Sequence, residues 1–85
     1  MKRISKKVTN ANRVDTPTSE VTIYINYSYQ KEILEVGIKN GRIYQYKNVP
    51  VEVWERYTRI IETGGSSGKF YNKEIKPNYD FEEID

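Results

Sequence analysis

The 85-residue chain has no cysteine and no histidine. The first absence removes disulfides and thiolate chemistry, and fits a reducing, cytoplasmic setting. The second removes the usual general base and the commonest metal ligand. Long apolar runs are also missing, so no segment reaches the roughly 20 residues that a membrane span needs. The basic start, Met1-Lys2-Arg3-Ile4-Ser5-Lys6-Lys7, is followed by no apolar stretch and does not read as a signal peptide. With one Trp and two Phe, the aromatic content falls to eight tyrosines, which combine an apolar body with a polar tip.

A chain of this length makes one domain with a thin core, burying about 60–65% of its unfolded surface. The net charge is +2 and unevenly spread. Residues 1–13 carry five basic groups and no acidic one, and residues 80–85 carry four acidic groups and no basic one. The ends read either as solvated termini or as a basic arm and an acidic tail.

Residues 1–18 show neither helical nor strand period and are expected as a mobile basic arm, with a short extended piece around Val8. From Ser19 to Tyr29 the pattern alternates. Val21, Ile23, Ile25, Tyr27 and Tyr29 fall on one face, and Thr22, Tyr24, Asn26 and Ser28 on the other. A polar connection, Gln30-Lys31-Glu32, leads to a second strand, Ile33 to Lys39, and a third, Arg42 to Lys47. Asn40-Gly41 between them is a strong hairpin signal. A two-residue turn would place Leu34, Val36 and Ile38 on the face opposite Tyr44 and Tyr46. A three-residue loop bulged at Gly41 brings both sets to one face, as a thin core requires.

Val49-Pro50 ends the sheet and opens a helix, expected from Pro50 to Thr63 with Gly64 closing it. Val53, Trp54, Tyr57, Ile60 and Ile61 form its apolar stripe. Gly64–Lys69 then reads as a flexible loop, and 70–79 as an irregular segment pinned by Phe70, Ile75 and Tyr79. The expected fold is α+β: a small antiparallel three-stranded sheet packed against one helix, with an irregular C-terminal segment. The domain spans 19–79, flanked by the arm (1–18) and the tail (80–85).

No catalytic constellation is visible. Gly64–Lys69 fails as a P-loop, because Thr63 stands where the first glycine belongs and Phe70 where Ser or Thr must follow the lysine. The carboxylates form no metal or glycosidase spacing. The expectation is a non-enzymatic module without cofactor or metal. Its candidate ligand contacts are Arg42, Ser66, Ser67, Gly68, Lys69, Tyr71, Asn72 and Lys73: backbone and cations for phosphate, Tyr71 or Tyr24 for stacking. Tyr44, Tyr46 and Trp54 are expected in the core.

The run Leu34-x-Val36-x-Ile38-x-x-Gly41-x-x-Tyr44-x-Tyr46-x-x-Val49-Pro50, then a helix, then Ser67-Gly68-Lys69-Phe70-Tyr71-Asn72-x-x-Ile75-x-x-x-Tyr79, resembles the KTSC domain. That family is named for a segment at the C-terminus of some lysyl-tRNA synthetases and also occurs as small stand-alone bacterial and phage proteins. Gly64-Gly65 lengthens the loop here, and residues 1–18 lie outside the match. The resemblance implies a small antiparallel sheet with a helix, and a binding module for RNA or a nucleotide-derived small molecule. It equally implies a phage or prophage inhibitor that sequesters a host signal or a host protein. Such a protein would be a cytoplasmic monomer or small homo-oligomer, away from membranes.

Overall fold

The computed structural model describes residues 12–84; the extended piece expected around Val8 lies outside them. Five strands form one antiparallel sheet in sequence order: β1 (Val14–Asp15), β2 (Thr22–Ser28), β3 (Ile33–Ile38), β4 (Ile43–Tyr46) and β5 (Phe81–Ile84). Two helices, α1 (Val51–Glu62) and α2 (Ser67–Phe70), cover one face, and α2 runs on into a π-helical turn, Tyr71–Ile75. No helix among the described residues is long and apolar enough to cross a membrane.

The central hairpin follows its local chemistry. Val36 pairs with Tyr44 and Leu34 with Tyr46, while Gly41 N–H donates to the Ile38 carbonyl and Ile38 N–H to the Arg42 carbonyl. The loop is therefore Lys39-Asn40-Gly41, with Gly41 at φ +93°. This is the bulged turn expected from parity, and it sends Leu34, Val36, Tyr44 and Tyr46 to the helix side. Asn40 Oδ1 steadies the loop by accepting from Arg42 N–H at 2.9 Å.

Helix α1 begins after Pro50 (φ −65°, ψ 153°), whose missing N–H is no loss at a helix start. It ends in a Schellman arrangement: Gly64 at φ +87°, its N–H on the Ile61 carbonyl, and Gly65 N–H on the Ile60 carbonyl. Trp54 and Tyr57 carry the buried stripe; Val53, Ile60 and Ile61 flank it, half-buried. Trp54 stacks on Tyr27 (5.4 Å between ring centroids, 10° between planes), and Tyr57 meets Phe70 at 4.5 Å. Tyr46 and Trp54 lie in the core as expected, and Tyr44 is half-buried against it.

Four expectations are corrected. First, the sheet has five strands and there are two helices, against three and one. Val14–Asp15, placed in the arm, pairs with Ile25 and Tyr24. Second, the acidic tail is largely strand: Phe81–Ile84 pairs with β4, and Glu82 and Glu83 meet Lys47 and Arg42 at 3.6 and 3.4 Å. Its charges are the cross-strand complement of β4.

Third, β2 does not alternate throughout. Thr22 pairs with Ile38 and Tyr24 with Gly37, so Ile23 is an extra, bulged residue. Ile23 is 43% exposed, whereas Thr22, assigned to the outer face, is fully buried beside α2. Beyond the bulge, Tyr24 is buried on the far face, where its hydroxyl donates to Glu35 Oε2 at 2.6 Å. Gln45 Nε2 donates to the same carboxylate through Oε1 at 2.9 Å. The sheet is thus covered on both sides at its centre. Fourth, 67–75 is helical rather than irregular. Phe70 and Ile75 do pin it, both buried, together with Tyr71, and Tyr79 is half-buried against the core.

Candidate functional site

A chain of buried hydroxyls joins the sheet to both helices. Thr16 Oγ1 lies 2.7 Å from Thr22 Oγ1, Thr22 Oγ1 2.8 Å from Ser67 Oγ, and Ser67 Oγ 2.8 Å from Tyr57 OH. The Tyr57 hydroxyl also donates to the Ser67 carbonyl at 3.1 Å. Each hydroxyl has one proton. With the Tyr57 proton on that carbonyl, the polarity runs one way, Thr16 to Thr22 to Ser67 to Tyr57.

Burial holds the Tyr57 phenol protonated far above the ordinary tyrosine range, against a smaller opposing pull from its Ser67 hydrogen bond. Ser67 has a threonine and a tyrosine hydroxyl as neighbours, neither of them a base that takes up its proton. The chain of hydroxyls is suited to holding two loops together rather than to activating a nucleophile.

Those loops form the walls of a cleft of about 550 Å³. One wall is residues 15–21, the connection between β1 and β2. The other is residues 64–69, with Ile61 and Asn72 beside it. Thr16-Pro17-Thr18-Ser19 makes a turn, Ser19 N–H on the Thr16 carbonyl at 3.1 Å, with proline at the position that favours it. Ser19 Oγ accepts from the N–H groups of Val21 and Thr22 at 3.1 and 3.0 Å. On the opposite wall, Ser66 caps α2, its Oγ accepting from Lys69 N–H at 3.1 Å. Gly68 permits the close approach of the walls: a Cβ there would sit 3.0 Å from Val21 Cγ2.

The expected contact residues divide. Ser66, Lys69 and Asn72 are exposed and line the cleft. Ser67 and Gly68 also border it, but both are buried, Ser67 with its hydroxyl committed to Thr22 and Tyr57. Tyr71 lies in the core at 3% exposure, its hydroxyl 2.6 Å from that of Tyr46, and so presents no ring for stacking. Tyr24, the other stacking candidate, is 6% exposed beneath the Arg13 guanidinium, 4.1 Å from its ring centroid. Arg42 stands outside the lining, paired with Glu83. Lys73 is exposed on the π-helical turn and is not part of the lining either.

Sequence reading missed this wall as part of a site: it assigned residues 15–18 to the arm and Ser19–Val21 to the start of the first strand. The signal available was Thr16-Pro17-Thr18-Ser19, a turn sequence with a mechanism. The wall brings two carboxylates, Asp15, paired with Arg13 at 2.9 Å, and Glu20. Among the described residues no group of three or more acidic side chains could hold a metal ion.

The hydroxyl chain carries a stability prediction. Tyr57→Phe leaves packing intact but takes the acceptor from the buried Ser67 hydroxyl proton and one of two donors from the Ser67 carbonyl, which keeps the Tyr71 N–H. The expected loss is about 1–3 kcal/mol, read as a lower urea midpoint at unchanged slope. A change below about 0.5 kcal/mol, the level of an ordinary surface substitution, would show that the chain of hydroxyls does not hold the walls.

Comparison with known proteins agrees with this fold. The family model of the KTSC domain matches residues 18–79. The crystal structure of a KTSC domain protein from Yersinia pestis is similar, with a TM-score of 0.68 at 27% sequence identity, covering 87% of this chain and 97% of that one. A search of curated proteins finds no match. The match spans the bulged strand, the hairpin, α1 and the 67–75 segment, and on it the chain belongs to the KTSC domain family.

Proposed function

We propose that this domain is a non-catalytic binding module for a small, nucleotide-like ligand held between residues 15–21 and 64–69. One observation carries the reading: the cleft of about 550 Å³, bordered by hydroxyl groups, an amide and Lys69. Its volume falls within the range of about 300–1,000 Å³ usual for small-molecule sites. Its walls are tied at the base by the buried hydroxyls, which lowers the ordering cost of binding.

A nucleic-acid strand is supported less well than a small ligand. The net charge of the chain is only +2. The two tyrosines expected to stack on bases are core residues. Arg13, Arg42, Lys47 and Arg56 each already face a carboxylate.

Lys69→Ala provides the test. Lys69 is exposed and its side chain is in no ion pair among the described residues. The substitution should weaken binding of an anionic ligand about tenfold, the worth of one charge-assisted hydrogen bond, and leave the melting temperature unchanged. Calorimetric titration with nucleotides, and with single-stranded RNA at low and high salt, checks this. RNA binding with a steep salt slope that survives Lys69→Ala would favour the nucleic-acid reading instead.

A second reading, an interaction or inhibitor module, has β5 in its favour. This edge strand has no partner strand on its outer side among the described residues, and Phe81 on it is 56% exposed. Size exclusion with light scattering, and capture from host lysate by wild type but not by a β5 proline variant, would support it.

A further inference from the structure

Charge on the cleft walls narrows the ligand further than volume does. Among the described residues three acidic or basic side chains line it: Asp15 and Glu20 on one wall, Lys69 on the other. Arg13 takes up Asp15 at 2.9 Å, from outside the lining. One lysine is then left against one carboxylate, Glu20. Two further cations expected to contact phosphate are elsewhere: Arg42 with Glu83, and Lys73 off the lining.

This distribution suits a single negative charge. A first phosphate placed at Lys69 gains its attraction. Every further phosphate adds charge that no second cation among the described lining residues meets and that Glu20 repels. The uncharged lining suits the rest of a nucleoside. Thr18, Ser66 and Asn72 are exposed hydrogen-bonding groups for a sugar, and Pro17, Val21 and Ile61 form apolar surface for a base.

We infer that the cleft takes a nucleoside or a nucleoside monophosphate, one phosphate at most, and discriminates against polyphosphates. The inference rests on the nucleotide-like reading above and adds the charge class of the ligand. It also makes Glu20 a specificity-determining residue, one that acts by rejecting the wrong ligand.

The test is calorimetric titration of the full chain, in EDTA so that no metal masks phosphate charge, with the four ribonucleosides and their mono- and triphosphates. The expected order is monophosphate tightest, with affinity falling roughly threefold or more for each phosphate beyond the first. Glu20→Gln should flatten that fall without affecting nucleoside binding. Lys69→Ala should erase any advantage of a monophosphate over its nucleoside. A triphosphate that binds as tightly as its monophosphate, with Glu20→Gln indifferent, overturns the charge assignment and leaves a small-ligand module standing. No binding by any member of the panel overturns both.

Discussion

Replacing Gly37 with alanine is expected to destabilise the fold by about 2–5 kcal/mol, although glycine-to-alanine in a strand ordinarily returns about 0.5–1 kcal/mol. The reason is Tyr24, whose ring lies flat on the bare strand. A Cβ at position 37 would stand 2.3 Å from Tyr24 Cε1 and 2.5 Å from Cδ1. The ring has no simple way aside, because its hydroxyl is tied to the buried Glu35 carboxylate at 2.6 Å. Overpacking costs about 1–3 kcal/mol, and releasing the phenol from the carboxylate about 1–3 kcal/mol more. Both exceed the entropic return. Urea unfolding measures the sum. In the double variant Gly37→Ala/Tyr24→Ala the clash term vanishes, so the two changes should be strongly non-additive. Additive losses would mean that Tyr24 and Gly37 do not share the site as described.

Alkaline unfolding is the second large effect. Tyr24, Tyr27, Tyr46, Tyr57 and Tyr71 are all buried, and in each case burial is the first cause that raises the phenol above its ordinary value, for Tyr27 to about 12. A phenol whose folded pKa exceeds its unfolded pKa of about 10 stabilises the fold fully below pH 10. That contribution declines as pH rises beyond 10, because the unfolded chain releases the proton first. Each phenol raised well beyond its unfolded value removes about 1.4 kcal/mol per pH unit, so Tyr24, Tyr27, Tyr57 and Tyr71 together remove about 5–6 kcal/mol per unit. A stability of about 5–10 kcal/mol is exhausted within about two units. Phenolate absorbance at these five positions should therefore appear together with the loss of far-ultraviolet circular dichroism, in one cooperative step between about pH 10 and 12. Smooth titration of all tyrosines on an intact fold would contradict the burial of these rings.

The parts of this fold that were legible are those decided by neighbours in sequence. Asn40-Gly41 with apolar alternation on either side specifies the bulged hairpin, and Val49-Pro50 and Gly64 bound α1. The parts that were not legible are decided at a distance. Ile23 looks like a core residue until Thr22 is seen bonded to Ser67, 45 positions away. Glu82 and Glu83 look like solvated charge until Lys47 and Arg42 are placed diagonally across from them. Tyr71, flanked by Lys69, Asn72 and Lys73, has the neighbourhood of a surface residue, yet the π-helical turn directs its ring into Tyr46. Gly64-Gly65-Ser66-Ser67-Gly68 has the composition of a flexible loop, but it contains a helix terminus, a helix cap and a buried hydroxyl in succession. The cleft was half legible for the same reason. Its 64–69 wall stood out by composition, while the start of the other wall, 15–18, follows a strand, Val14–Asp15, that forms only by pairing with Ile25 and Tyr24.

The proposed working surface of this domain is the cleft between those two walls. Mapping amide chemical shifts of the uniformly labelled full chain during titration with nucleoside monophosphates tests it most directly. Saturable shifts are expected, clustered at residues 15–21 and 64–72 and reduced in Lys69→Ala. Shifts centred on the hairpin from Lys39 to Lys47 or on β5, with both cleft walls silent, would contradict it.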